Sequence, residues 1–160
     1  MPRSAKDPQL PQVKLHPGVI VVGCLLLSVL VRNAWHLHLD SESLSALRYV
    51  GLALMFVGVA TLVLAYGSMA RAKTTIDPRE HSSRMVTSGI YAYSRNPIYL
   101  GWFLLIAGRG VMNASLLVLL IAATMLLLLY WAVIVEEEKY LERKFGEEYM
   151  KYKRSVRRWL

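Results

Sequence analysis

Charged residues are confined to a few segments of the chain, which leaves four long stretches without any Asp, Glu, Lys or Arg. The second stretch has 22 residues and the fourth has 26, and about 20 apolar residues suffice for a helix to cross a bilayer. The first stretch reaches that length only if it continues past Arg32 to residue 39, and the third has only 13 residues. We therefore predict an all-α integral membrane protein with about four transmembrane helices, at residues 17–39, 49–70, 97–108 and 111–135.

Small residues and turn formers predict how these helices pack. Gly108 and Asn113 lie between the third and fourth stretches, where a tight turn would join the two helices into a hairpin with a short first arm. The second stretch carries a small residue at every seventh position, namely Gly51, Gly58 and Ala65. Such a series predicts a face along which another helix packs closely.

Composition agrees with a membrane protein, and the distribution of charge predicts its orientation. The 160 residues are 55% hydrophobic and 19% charged, with a mean hydropathy of +0.37 and a net charge of +8. Sixteen of the 19 Lys and Arg residues lie in segments 1–16, 71–96 and 136–160. Because basic residues favour the cytoplasmic side, we predict a multi-pass protein of one domain, residues 1–160, with both termini in the cytoplasm.

Several kinds of chemistry find no support in the sequence. The single cysteine, Cys24, rules out an internal disulfide framework and a cysteine-built zinc site. His36 and His38 are two residues apart, so on a helix they do not share a face, and we predict no metal site. The basic C-terminal segment favours anionic lipid headgroups over nucleic acid in a chain with so many apolar stretches.

The segment before the third stretch, residues 71–96, ends in chemistry that suits an anion. Asn96 and Pro97 are typical of a helix N-cap followed by the first helical residue, so the positive end of the helix dipole would face the cytoplasm beside Arg95. A carboxylate would fit there. Four aromatic residues crowd the twelve residues around this N-cap: Tyr91, Tyr93, Tyr99 and Trp102. An interfacial belt of aromatic residues is an equally open interpretation.

The fourth stretch continues without a break into three glutamates, residues 136–138, which would overhang the start of the third helix. A pocket between them and the aromatic segment is one interpretation, and an acidic solvated turn is the other. Gly146 is expected to end that helix. Beyond it, an apolar face recurs at helical spacing (Tyr149, Tyr152, Val156 and Trp159), which predicts an amphipathic helix that lies at the membrane interface or covers the pocket.

Three motifs stand in a fixed order: Gly89-Ile-Tyr-Ala-Tyr-Ser-Arg-Asn-Pro-Ile-Tyr-Leu-Gly-Trp102, the three glutamates about 34 residues later, and Phe145-Gly-Glu-Glu-Tyr-Met-Lys-Tyr152. With these motifs, the chain resembles the isoprenylcysteine carboxyl methyltransferase family. It is more distantly similar to the phospholipid methyltransferases of the same superfamily. The resemblance covers residues 74–159 and implies S-adenosylmethionine as the cofactor. It also implies a lipophilic or membrane-associated methyl acceptor that enters from the bilayer.

The resemblance implies a cofactor site at the cytoplasmic face, built by segments 71–96 and 136–160. Its binding residues would be Tyr91, Arg95, Asn96, Pro97, Tyr99, Gly101, Trp102, Glu136, Glu137, Tyr149 and Tyr152. Arg95 and Glu137 would be the catalytic residues, with Arg95 on the cofactor carboxylate and Glu137 as a base where the acceptor needs one.

Two positions differ from the carboxyl methyltransferase pattern. Asn96 replaces a typical histidine, and Val133 replaces an arginine expected to meet a substrate carboxylate. The acceptor therefore stays open between an isoprenylcysteine-type carboxylate, a lipid amine and a thiol. A membrane reductase that uses NADPH and a non-enzymatic lipid-binding protein are the alternative functions.

Overall fold

The computed structural model describes residues 15–31, 41–72 and 85–160, and every regular element in these ranges is a helix. The all-α prediction is therefore confirmed for the described residues. The elements are α1 (Pro17–Leu30), α2 (Ser41–Ala72), a 3-10 turn (Gly89–Ala92), α3 (Pro97–Met112), α4 (Leu116–Leu129), a π-helical turn (Tyr130–Ile134), α5 (Val135–Phe145) and α6 (Glu147–Ser155).

In the described ranges, two helices are long and apolar enough to cross a membrane, judged by length and composition. They are Glu42–Ala72 within α2, and Leu116–Phe145, in which α4, the π-helical turn and α5 form one continuous rod. Helices α1 and α3 are apolar but shorter. The predicted extension of the first span to residue 39 lies outside the described residues, as do residues 1–14 and 73–84. Four crossings therefore stay a prediction.

Helices α2 and α3 run antiparallel in very close contact along the small residues that the sequence singled out. A Cβ atom added to Gly51 would lie 2.5 Å from the carbonyl oxygen of Gly108, and one added to Gly58 would lie 2.9 Å from that of Gly101. Ala65 is fully buried on the same face. The predicted close packing is confirmed, and it brings the end of α2 to the start of α3.

Replacing Gly51 by alanine is expected to destabilise this helix pair. The new methyl group would lie 2.5 Å from two backbone atoms, the Gly108 oxygen and the Met112 nitrogen, which cannot rotate away as a side chain would. We expect a loss of about 1–3 kcal/mol, typical of overpacking, seen as a lower thermal unfolding midpoint in detergent. The control is Gly67→Ala on the same helix, where nothing lies within 4 Å. Equal midpoints for the two variants would contradict the close contact.

The predicted hairpin is formed by α3 and α4, which are joined by a turn at residues 113–115. The Asn113 side chain donates a 2.8 Å hydrogen bond to the Arg109 carbonyl at the end of α3, and Ala114 adopts a left-handed backbone conformation with φ of 47°. Helix α1 packs against α4, and the apolar core lies between them and α3. The hairpin fixes the start of α3 beside the polar end of the long helical rod.

The C-terminal part differs from the prediction in one respect. Gly146 ends α5 with φ of 52° and ψ of −126°, as expected of a glycine that terminates a helix. Helix α6 carries Tyr149 and Tyr152, but it ends at Ser155, and Val156 is extended. The prediction that the helical face continues to Trp159 is wrong, because the helix ends earlier. The backbone carbonyls of residues 157–158 instead accept hydrogen bonds from residues 94–96. Trp159 packs against the apolar core.

Candidate functional site

A cleft opens at the polar end of the helical bundle, where the segment before α3, the start of α5 and helix α6 meet. Its cavity volume is about 80 Å³. The enclosed part of the cleft is therefore smaller than the roughly 300–1,000 Å³ typical of small-molecule binding sites. The lining residues are Met69, Met85, Val86, Tyr91, Arg95, Asn96, Ile134, Glu137, Glu138, Leu141, Tyr149 and Tyr152.

Glu138 is the most heavily engaged charged group of the cleft, and two arginines share it. Its Oε1 lies 3.0 Å from Arg95 Nη1 and 2.9 Å from Arg158 Nε, while its Oε2 accepts a second 2.9 Å bond from Arg158 Nη2. The residue is only 8% exposed. A buried carboxylate needs such compensation, and the bidentate bond from Arg158 is the strong form of it. These hydrogen bonds also raise the pKa of the Arg158 guanidinium.

Arg95 keeps part of its bonding capacity unused. Its Nη1 also donates to the Tyr149 hydroxyl over 3.3 Å, but its Nε is buried and has no hydrogen-bond partner among the described residues. An unpaired buried donor is costly in a folded protein and calls for an explanation. The side chain that carries this donor also lines the cleft, where its positive charge suits an anionic ligand.

Glu137 lines the cleft with far fewer partners than its neighbour Glu138. It is half-buried, and the Tyr99 hydroxyl donates to its Oε2 over 3.4 Å, which is a long and therefore weak bond. Glu136 lies elsewhere, with its Oε1 bound by Lys139 Nζ at 2.8 Å. The three consecutive glutamates therefore have three different environments, and Glu137 is the less engaged of the two carboxylates that line the cleft.

The C-terminal segment is tied to the segment before α3 by several hydrogen bonds. The Tyr152 hydroxyl donates to the Tyr91 carbonyl over 2.7 Å, and the Arg95 backbone N–H donates to the Arg157 carbonyl over 3.1 Å. The Asn96 side chain donates to the Arg158 carbonyl over 3.1 Å. Asn96 does occupy the N-cap position of α3, but its side chain holds the C-terminal segment and makes no capping bond.

The tyrosines of the cleft are neutral hydrogen-bonding groups. Burial raises the pKa of Tyr149 to about 12, with a further contribution from Glu138. Burial likewise raises the pKa values of Tyr91 and Tyr152 above the usual value for tyrosine. All three hydroxyls therefore keep their protons near neutral pH. Of the residues that line the cleft, Arg95, Glu137 and Glu138 are the ones with acidic or basic side chains.

The structure gathers about half of the residues predicted for the site around the cleft: Tyr91, Arg95, Asn96, Glu137, Tyr149 and Tyr152. The others lie outside its lining. Pro97 is buried as the first residue of α3, Tyr99 contacts Glu137, and Gly101 packs against α2. Trp102 packs against the apolar core, and Glu136 contacts Lys139.

Two residues of the charged group beside the cleft, Glu138 and Arg158, were not singled out from the sequence. Glu138 is the third residue of the glutamate run, and that run was the available signal for it. Arg158 gave no local signal, because it reaches Glu138 only when the C-terminal segment turns back over the cleft. Val133, where the resemblance leads one to expect arginine, is fully buried in the apolar core.

These features define a bundle of apolar helices whose polar end carries a charged, aromatic cleft. Comparison with known proteins gives the family. The model of the phospholipid methyltransferase family matches residues 47–148, which is more than half of the chain. The protein therefore belongs to this family of membrane methyltransferases.

The chain is also similar to parts of several named proteins. The chain is 39% identical to human protein-S-isoprenylcysteine O-methyltransferase over 72 residues, covering 45% of this chain and 25% of the human protein. It is 29% identical to the Xenopus laevis protein of the same name over 122 residues, covering 73% of this chain and 41% of that one. The resemblance seen in the sequence is confirmed at the level of the family. The chain spans between a quarter and about two-fifths of the length of these relatives.

Proposed function

We propose that this protein is an S-adenosylmethionine-dependent methyltransferase for a lipophilic or membrane-associated acceptor, with the cofactor bound in the cleft at the cytoplasmic face. The observation that carries the proposal is the position of the cleft. Aromatic side chains, Arg95 and Glu137 converge at the polar end of apolar helices. The family match includes the loop, the hairpin and the glutamates that build most of it.

The residues present fit the chemistry of the cofactor. The Arg95 guanidinium suits the carboxylate of its amino-acid part. Glu137, with one weak partner, suits the amino group or a ribose hydroxyl. The aromatic faces of Tyr91, Tyr149 and Tyr152 suit an adenine and a sulfonium cation. When bound, S-adenosylmethionine supplies a methyl group activated by its positively charged sulfur.

The protein's own contribution is alignment and exclusion of water rather than acid catalysis. Tyr149 and Tyr152 are nearly fully buried, and with the loop that carries Tyr91 they close one side of the cleft. Holding two reactants in a fixed geometry lowers the entropic part of the barrier. A proton must leave only where the acceptor is an amine or a thiol, and Glu137 then accepts it.

The membrane supplies the acceptor in this proposal. Relatives are named for isoprenylcysteine O-methylation, and the acceptor class here is a lipid-anchored carboxylate, amine or thiol. Val133 stands where the resemblance predicts an arginine for a substrate carboxylate, which leaves the three acceptor types open. The four-helix, multi-pass arrangement with cytoplasmic termini belongs to the same proposal. Exposed basic residues of the C-terminal segment, such as Lys151 and Arg157, would face anionic lipid headgroups.

Titration in detergent solution tests the proposal against its alternatives. Calorimetry with S-adenosylmethionine, S-adenosylhomocysteine and NADPH is expected to show saturable binding of the first two compounds and none of the third. Binding of NADPH alone would favour a reductase. If the protein binds none of the three compounds, a lipid-binding protein without a cofactor is the remaining alternative. Either of these two results would overturn the methyltransferase proposal.

A further inference from the structure

The geometry points to Arg158 as a positioning residue of the cofactor site. We infer that Arg158 neutralises Glu138 and thereby leaves the positive charge of Arg95 available to the carboxylate of the cofactor. This inference rests on the proposed function, and it adds a residue that the family resemblance did not assign.

The charge balance around Glu138 carries the argument. Glu138 has one negative charge, and it contacts the guanidinium groups of both Arg95 and Arg158 at 2.9–3.0 Å. The cluster of these three side chains thus keeps a net charge of +1. If Arg95 and Glu138 stood alone, they would form a neutral pair, and an approaching carboxylate would meet the repulsion of Glu138 at nearly the same distance as the attraction of Arg95.

The division of bonds supports the same assignment. Arg158 binds Glu138 in the bidentate manner, through Nε and Nη2, whereas Arg95 uses only Nη1. Within the described part of the chain, the buried Nε of Arg95 has no partner. Arg158 therefore makes two of the three arginine contacts to the carboxylate, and Arg95, which lines the cleft, makes one.

The fold holds Arg158 in this place from both sides. Its backbone carbonyl accepts hydrogen bonds from the Asn96 side chain at 3.1 Å and from the Ser94 hydroxyl at 3.3 Å. Its guanidinium carbon lies 5.0 Å from the centre of the Tyr130 ring, within the range of a cation–π contact. Lys153 is a weaker substitute, because its Nζ is 3.8 Å from Glu138 Oε2 and is also bonded to Glu142.

The experiment compares two ligands that differ in the amino-acid part. S-adenosylhomocysteine carries the carboxylate, and 5′-methylthioadenosine lacks it. By calorimetry in detergent, Arg158→Gln is expected to weaken S-adenosylhomocysteine binding about tenfold or more, the scale of one charge-assisted bond, while 5′-methylthioadenosine binding stays unchanged. Arg154→Gln removes the same charge from an exposed position of α6 and is the matched control, expected to leave both affinities unchanged.

A double variant separates a charge effect from a loss of structure. In Glu138→Gln/Arg158→Gln the carboxylate that Arg158 neutralises is gone, so affinity for S-adenosylhomocysteine should return to within about threefold of the unmodified protein. Equal weakening of both ligands by Arg158→Gln would overturn the inference, as would unchanged binding or failure of the double variant to recover. Failure of the unmodified protein to bind either ligand would overturn the proposed function itself.

Discussion

Glu137→Gln is expected to lower the affinity for S-adenosylmethionine about 100-fold, the upper range for hydrogen bonds to a charged group. Glutamine keeps the size of the side chain and can still accept the bond from the Tyr99 hydroxyl. It removes the carboxyl group from the cleft, where Glu137 is the less engaged of the two glutamates in the lining. The protein should still insert into membranes, because Glu137 takes no part in the contact between α2 and α3.

Calorimetry in detergent measures this change, and circular dichroism checks that the helices remain. Glu147→Gln is the matched control, because Glu147 is exposed at the start of α6, outside the cleft lining, and pairs with Arg154 at 3.8 Å. Affinity of Glu137→Gln equal to that of the control would remove Glu137 from the site. Where the acceptor is an amine or a thiol, transfer at saturating cofactor should also be slower in Glu137→Gln.

Arg95→Ala is also expected to lower the affinity for S-adenosylmethionine, by about 100-fold, but for a different reason. The change removes the guanidinium that lines the cleft and also its contact with the Tyr149 hydroxyl. Glu138 keeps the bidentate bond from Arg158, so the variant does not leave a buried carboxylate without a partner. We therefore expect a binding defect in a protein that still folds.

The same titration tests Arg95→Ala, with Arg143→Ala as the control, since Arg143 is exposed on α5 and does not line the cleft. Loss of affinity for S-adenosylhomocysteine should exceed the loss for 5′-methylthioadenosine, because Arg95 is assigned to the carboxylate. An equal loss for both ligands would indicate a collapsed cleft and would contradict that assignment.

Local and periodic signals in the sequence were enough for much of the fold. Proline after asparagine marked the start of α3 at Pro97, and a lone glycine marked the end of α5 at Gly146. The seven-residue spacing of Gly51 and Gly58 marked the face of α2 that packs on α3. Each of these signals lies within one or two helical turns of the chain, so a local pattern was enough to detect it.

The site was less predictable, because its geometry depends on long-range contacts and on helix phase. The π-helical turn at Tyr130–Ile134 shifts the phase of the residues that follow. Counting from the apolar face of α4 therefore cannot tell which glutamate of the run faces the cleft. Arg158 meets Glu138 across 20 residues only because the chain turns back after Ser155. A resemblance in sequence motifs also cannot separate residues that line a cleft from residues that pack behind it, such as Gly101.

The π-helical turn has a further consequence for the arrangement of charges. It lies directly before the acidic part of the long helix, with Val133 and Ile134 fully buried in the core. Glu137 and Glu138 follow within one turn and face the segment before α3. Turns of this kind are frequent at functional sites, and here the apolar rod changes into the wall of a polar cleft within a few residues.

The most direct test of the account is transfer of a labelled methyl group. Protein in detergent is given S-adenosylmethionine labelled in the methyl group, together with membrane lipid extract, prenylated thiols, isoprenylcysteine compounds or small amines, and the products are identified. We predict labelled product from at least one lipophilic acceptor with the unmodified protein and with Glu147→Gln. Glu137→Gln is expected to form little labelled product at cofactor concentrations that do not saturate this variant. Absence of labelled product from every lipophilic acceptor, or equal labelling by Glu137→Gln, would contradict the account.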